Sequence, residues 1–207
     1  MDLEPTVFIV DDDKEVREAI ELLMKSIGLA SQSFASAQAY LDSFDPNRPG
    51  CLVLDVRMRG MSGLDLQQRL AGEALHPPII IITGHGDVPM AVRAVKSGAV
   101  DFIEKPFNDQ VLLDAVHRAL EKDAEHRGQA SRLADIRERL DRLTPREREI
   151  LDQVTAGKRN KVIAADLRIS QSTVEAHRAK VMEKMEARSL SDLMRMLLLI
   201  NPQQRGL

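Results

Sequence analysis

Four short apolar runs in the first half of this 207-residue chain stop at residues suited to holding a phosphoryl group beside a cation. The run 6–10 ends at Asp11 and Asp12, the run 51–54 at Asp55, the run 79–82 at Thr83, and the run 100–103 leads through Glu104 to Lys105. Three carboxylates gathered in one place repel one another unless a cation neutralises them. Hard oxygen donors of this kind suit Mg²⁺, which takes few carboxylates and keeps several waters. A hydroxyl and an ammonium on the other side suit an anion. Together these residues describe a seat for a metal and a phosphoryl group, with one aspartate as covalent acceptor.

The elements that position them follow from periodicity. After Asp13, a helix N-cap by type, Val16, Ile20, Leu23 and Ile27 recur at steps of three and four, and Gly28 is placed to end that helix. A weaker strand over 29–34, a short helix capped by Ser36, and a helix after Gly63 through Leu64, Leu66 and Leu70 come next. The Gly84-His85-Gly86 turn opens a further helix closed by Gly98, and a last helix starts near Asn108. Strand and helix alternate five times, which predicts an α/β fold, a five-stranded parallel sheet of flavodoxin-like type with helices on both faces. In such sheets the ligand crevice lies beyond the carboxyl ends of the strands, where the four polar ends fall.

Composition narrows the classes. Hydrophobic residues make up 43% of the chain, enough for packed cores, while aromatics at 3% and the absence of Trp argue against stacking platforms for single-stranded nucleic acid. The lone Cys51 has no internal disulfide partner and fits a reducing compartment. With no membrane-length apolar segment and no signal-peptide pattern at the N-terminus, the expectation is a soluble cytoplasmic protein. Net charge is −3, but residues 1–123 carry about −8 and residues 144–207 about +4, so two domains with different partners are expected.

Between them, residues 124–143 read as a charged helical linker. Leu133, Ile136, Leu140 and Leu143 form a stripe in it that is either a feature of a solvated connector or a surface for a partner subunit or the first domain. Thr144-Pro145 opens the all-α second domain, with Thr144 as cap. A helix to Gly157, a short one over 160–167, a turn and a third from Gln171 have helix-turn-helix spacing. Val174, His177, Val181 and Met185 share the inner face of the third helix, so His177 is as well placed to pack as to meet a phosphate. Its outer face offers Gln171, Ser172, Thr173, Glu175, Arg178 and Ala179, flanked by Asn160, Lys161, Lys180 and Lys184 as further DNA contacts. Glu175 either accepts from a cytosine amine or tempers non-specific affinity.

Val10-Asp11-Asp12, Asp55 with Met58 and Gly63, Thr83-Gly84 and Lys105-Pro106 resemble the receiver domain of two-component response regulators. That resemblance implies that a partner histidine kinase phosphorylates Asp55. It also implies that Asp12, Asp55 and the Arg57 backbone carbonyl hold Mg²⁺, with Asp11 acting through water. Thr83 and Lys105 would contact the phosphoryl group, Phe102 would be the aromatic that moves with Thr83, and Lys105-Pro106 would be a cis peptide. One departure stands out: Arg59 occupies the place of a common proline, and an altered phosphoryl lifetime is expected from it. Leu143 to Glu149, Asn160-Lys161, Ile163-Ala164 and Thr173 to His177 resemble the LuxR-type DNA-binding domain.

Together the halves are similar to the NarL/FixJ family, and the stretches 83–92 and 98–107 are most similar to its nitrogen-fixation branch. The resemblance implies a transcriptional activator rather than an enzyme. It would form homodimers on phosphorylation, bind double-stranded promoter DNA, and have RNA polymerase as a further partner. Two other readings of the first domain remain open at this point: a phosphatase of the same architecture, and a constitutive interaction module.

Overall fold

The computed structural model describes residues 4–84 and 88–200, so His85 and Gly86 of the turn expected before the fourth helix lie outside the described residues. The chain divides into two compact units between Arg127 and Gly128.

The first unit alternates strand and helix: β1 (Thr6–Val10), α1 (Lys14–Ser26), β2 (Ala30–Phe34), α2 (Ala37–Asp42), β3 (Gly50–Asp55), α3 (Gly63–Leu70), β4 (Ile79–Thr83), α4 (Val88–Lys96), β5 (Asp101–Glu104) and the start of α5 (Asp109–Asp141). All strand pairs are parallel, in the order β2-β1-β3-β4-β5. Side chains alternate across the sheet, and this period of two divides the core. Val7, Ile9, Val53, Ile80 and Ile82 pack with Ile20 and Met24 of α1 and with Leu112, Ala115, Val116 and Ala119 of α5. Phe8, Val10, Leu52, Leu54 and Ile81 pack on the other face with Tyr40, Leu66, Leu70 and Ala94. Burial on both faces explains why β1, β3 and β4 are almost continuously apolar, whereas the edge strand β2, with the sequence ASQSF, stays half-exposed. Caps agree with the sequence reading: Asp13 and Ser36 accept N–H bonds at the starts of α1 and α2, and Gly28, at φ 76°, follows the end of α1.

One tie was not anticipated. Asp123, buried, accepts from the Gly50 N–H at 2.8 Å and from Arg127 Nε at 2.7 Å. Arg127 in turn donates to the carbonyls of Pro46 and Arg48. The start of β3 is thereby fixed from α5, at the opposite end of the strand from Asp55.

The second unit holds the remainder of α5, then α6 (Pro145–Thr155), α7 (Asn160–Asp166), α8 (Gln171–Lys184) and α9 (Leu190–Ile200). The linker stripe takes neither expected course. Ile136 and Leu143, about 6% and 5% exposed, join Leu151, Val181, Met185 and Leu193 in the core of this unit, with Leu140 against them. Gly128 sits within α5 without breaking it. A second cluster, Ile150, Val154, Ile163, Ala164 and Val174, binds α6, α7 and α8 together. Ser170 caps α8, and Arg168 takes a left-handed backbone at φ 54° in the turn before it. Among the described residues no helix is long and apolar enough to cross a membrane.

Candidate functional site

The parallel register brings the four polar strand ends to one edge. Val10 pairs with Leu54, Asp55 with Ile82 and Thr83 with Glu104, so Asp11, Asp55, Thr83 and Lys105 emerge side by side. The Lys105 N–H donates to the Thr83 carbonyl at 2.8 Å, and the Asp11 N–H to that of Phe34. Gly63 closes the loop after Asp55: its N–H donates to the Val56 carbonyl, and a Cβ there would meet the Asp55 carbonyl oxygen at 2.1 Å. A side chain at 63 would force that loop away from Asp55.

Carboxylate oxygens of Asp11, Asp12 and Asp55 all lie within 4.8 Å of one another, with Asp11 and Asp55 buried and Asp12 exposed. Lys105 Nζ donates to Asp11 Oδ2 at 2.6 Å and to Asp55 Oδ1 at 2.9 Å. Burial pushes the Asp55 carboxyl above the usual range, the Lys105 ammonium opposes that, and the neighbouring Asp11 charge adds to it. Burial likewise works to lower Lys105, but its bonds to Asp11 and Asp55 outweigh that and hold it raised. One ammonium thus bridges two of three clustered acids. Such a donor set, all hard oxygens around a residual negative charge, fits a small divalent cation. The Arg59 N–H donates to Asp12 Oδ2 at 3.3 Å, a bond that a proline at this position could not make.

Thr83 is fully buried, Phe102 is half-buried against the cluster that includes Ile81 and Ala94, and the Lys105-Pro106 bond is cis. Beside Lys105, a groove of about 430 Å³ is lined by Val16, Ala19, Leu23, Pro106 and Phe107.

In the second unit the residues expected to meet DNA fall into two groups. Gln171, Ser172, Glu175, Lys180 and Lys161 are exposed. Asn160, Thr173, His177, Arg178 and Lys184 are half-buried, and most are already engaged. Thr173 belongs to the Ser170 cap. Arg178 Nη1 donates to Asn160 Oδ1. Val174, Val181 and Met185 are core as expected, while His177 keeps a buried Nδ1 with no hydrogen-bond partner.

Lys184 differs most from expectation. Its ammonium donates to Glu147 at 2.7 Å and to the Arg142 carbonyl, so it stitches α8 to the start of α6 instead of standing free for a phosphate. Glu147, buried, also accepts from the Thr144 N–H at 2.8 Å, while Thr144 Oγ1 accepts from the Glu147 N–H. The Lys184 bond and the Thr144 N–H pull this carboxyl down to about 2. Spacing carried a usable signal, because Thr144-x-x-Glu147 is a capping box.

Residues 7–117 match the family model described as response regulator receiver domain, and residues 141–197 match that of bacterial regulatory proteins, luxR family. Nodulation protein W of Bradyrhizobium diazoefficiens is 49% identical over 92% of this chain and 84% of its own length. The transcriptional regulatory protein FixJ of Rhizobium meliloti is 50% identical over 93% of this chain and 95% of its own. The low-resolution structure of response regulator StyR superposes with a TM-score of 0.87 at 43% identity, covering 94% of this chain and 98% of that one. The chain belongs to the response regulators that join a receiver domain to a LuxR-type DNA-binding domain.

Proposed function

We propose that this response regulator is a phosphorylation-switched transcriptional activator, with 1–123 as receiver, 124–143 as linker and 144–207 as DNA-binding domain. The observation that carries the reading is the crowded acidic site bridged by Lys105. A carboxylate oxygen of Asp55 attacks the phosphorus of a phosphorylated histidine on the partner kinase; the P–N bond breaks and the imidazole leaves. Asp11, Asp12, Asp55 and the Arg57 carbonyl are the residues that would hold Mg²⁺, which when bound offsets negative charge on the transferring group. Lys105 exchanges its carboxylate bonds for the phosphoryl oxygens, and the Thr83 hydroxyl turns toward them. Phe102, adjacent in the sheet, fills the space that Thr83 leaves. The apolar groove beside Lys105 gives a kinase helix somewhere to lie.

Phosphorylation then favours a homodimer through α4 and α5, whose outward Val88, Val92, Val95 and Val111 are 46–77% exposed. Two α8 helices meet the two halves of a promoter site, with Gln171, Lys161 and Lys180 as free contacts, Ser172 beside them bonded to Ser170, and RNA polymerase as the downstream partner. The regulon we propose is nitrogen fixation, supported by the stretches 83–92 and 98–107 and by the 50% identity to FixJ. The 49% identity to nodulation protein W supports a second reading, control of nodulation genes.

The test is selection of duplexes from a genomic pool by the full chain at one salt concentration, with and without acetyl phosphate and Mg²⁺. Enrichment of an inverted repeat only in the phosphorylated arm, upstream of nitrogen-fixation genes, is expected. Equal enrichment in both arms would remove the receiver from control of binding.

A further inference from the structure

Glu175 is the one acid on the exposed face of α8 near its start, among Gln171, Ser172, Ala176 and Ala179. A carboxylate on a helix laid against DNA is repelled by the phosphates, so it needs either a cation beside it or a base-edge donor in front of it. Among the described residues Glu175 makes no ion pair. Its side-chain partner is Asn160 Nδ2, at 3.4 Å, on the first turn of α7. The other end of that amide, Oδ1, accepts from Arg178 Nη1 at 2.5 Å. Arg178 lies three residues beyond Glu175 on α8, half-buried, and lines a small cavity with Ile150, Val154 and Val181. The chain Arg178 to Asn160 to Glu175 therefore has a direction. A packed guanidinium orients an amide, and the amide NH₂ steadies one oxygen of an exposed carboxylate, leaving its remaining lone pairs outward.

We propose that Glu175 reads a cytosine in each half-site and that Asn160 and Arg178 are positioning residues for it. The choice of base follows from donor patterns in the major groove. Cytosine offers the N4 amine with no adjacent acceptor, whereas adenine sets the N7 lone pair beside its N6 amine, and guanine and thymine present acceptors that repel a carboxylate. Holding Glu175 in place also removes rotamer freedom that binding would otherwise have to freeze. The proposal rests on the DNA-binding reading above and assigns to two of the residues expected to contact DNA a role behind the contact.

The experiment takes the operator enriched by the wild-type full chain and substitutes every position with each base pair. It compares wild type, Glu175→Ala, Glu175→Gln, Asn160→Ala and Arg178→Lys, with folding checked by circular dichroism. Wild type should prefer C·G at one position per half-site by about tenfold or more. Glu175→Ala should lose that preference at that position alone and bind unrelated duplexes more tightly. Glu175→Gln should shift the preference toward adenine, which glutamine can meet at both N6 and N7. Asn160→Ala and Arg178→Lys should weaken discrimination a few-fold at the same position with the salt dependence unchanged; a phosphate contact would instead weaken all sequences alike and flatten the salt slope. Unchanged base preferences in Glu175→Ala overturn the proposal while leaving DNA binding intact. Failure of wild type to enrich any sequence sinks both.

Discussion

Two lysines in this chain close on buried carboxylates, and the two sites are opposites. Lys184 serves one acid, Glu147, whose Oε2 also accepts from the Thr144 N–H in a helix cap; the charges cancel and the carboxyl is held down to about 2. Lys105 is shared between Asp11 and Asp55, with Asp12 close by, and burial holds Asp55 up instead of down. The first arrangement is complete and resists change. The second is short of positive charge, which makes it receptive to a cation and, with the cation present, to a phosphoryl group. What separates the two sites is charge balance among neighbours; distance does not, since the ion pairs are 2.6 and 2.9 Å at Lys105 and 2.7 Å at Lys184.

The comparison breaks most plainly on neutralising each acid. Asp55→Asn should abolish incorporation of phosphate from acetyl phosphate, read as unchanged protein mass, and should leave the Mg²⁺-free receiver as stable as wild type or more so. The pH dependence follows the same sign. A carboxyl raised by folding disfavours the folded state as pH climbs through its folded value, so wild type should lose receiver stability over that range and Asp55→Asn should not. Loss of receiver stability in Asp55→Asn without Mg²⁺ would mean that the site is balanced after all. Next in size, Lys105→Met leaves buried carboxylates without their cation and should cost about 3 kcal/mol in the absence of metal. Millimolar Mg²⁺ should restore part of it, measured by urea unfolding followed through native-state hydrogen exchange so that the two units are scored separately.

Much of this contrast was invisible in sequence, for a definable reason. β1, β3 and β4 and their polar ends were legible because strands buried on both faces are short apolar runs; the half-buried edge strand β5 was legible from Phe102 and Ile103, and the carboxyl ends of all four share one edge by topology. Asp13, Ser36 and Thr144 were legible as caps because a cap is local. Lys184 was not: read as a basic residue near a recognition helix, it suited a phosphate, and only the approach of α8 to α6 gives it Glu147. The Asp123–Arg127 tie to Gly50 and the Asn160–Arg178 bond are likewise partnerships across elements 73 and 18 residues apart. The linker stripe was visible as amphipathic, but its partner was not, because periodicity states that a face is buried and never against what.

Glu147→Gln should have the sign opposite to Asp55→Asn. It weakens the Lys184 bond and half of the capping box, and should cost about 2 kcal/mol in the second unit near neutral pH. A carboxyl depressed by folding contributes stability that is present above its unfolded value of 4.5 and lost as pH falls toward about 2, so the deficit of the variant should vanish over that window. Lys184→Met should match it in stability while leaving the salt slope of non-specific DNA binding unchanged; a slope smaller by about one would return Lys184 to the DNA interface.

The smallest effect concerns how the unbalanced site is trimmed. Arg59 acts on it in two ways that a pair of variants can separate. Its exposed guanidinium repels a cation, while its backbone N–H holds one oxygen of Asp12 and so fixes the direction of the other. Arg59→Ala removes only the charge and should tighten Mg²⁺ binding about twofold at low salt, as expected for an exposed charge in water. Arg59→Pro removes the charge and the N–H together, and losing a bond worth about 1 kcal/mol should make it about fivefold weaker than Arg59→Ala. Titration calorimetry with Mg²⁺ alone reads both. Equal affinities in the two variants would show that Asp12 orients itself without Arg59, and that the departure from proline acts on the site through charge only.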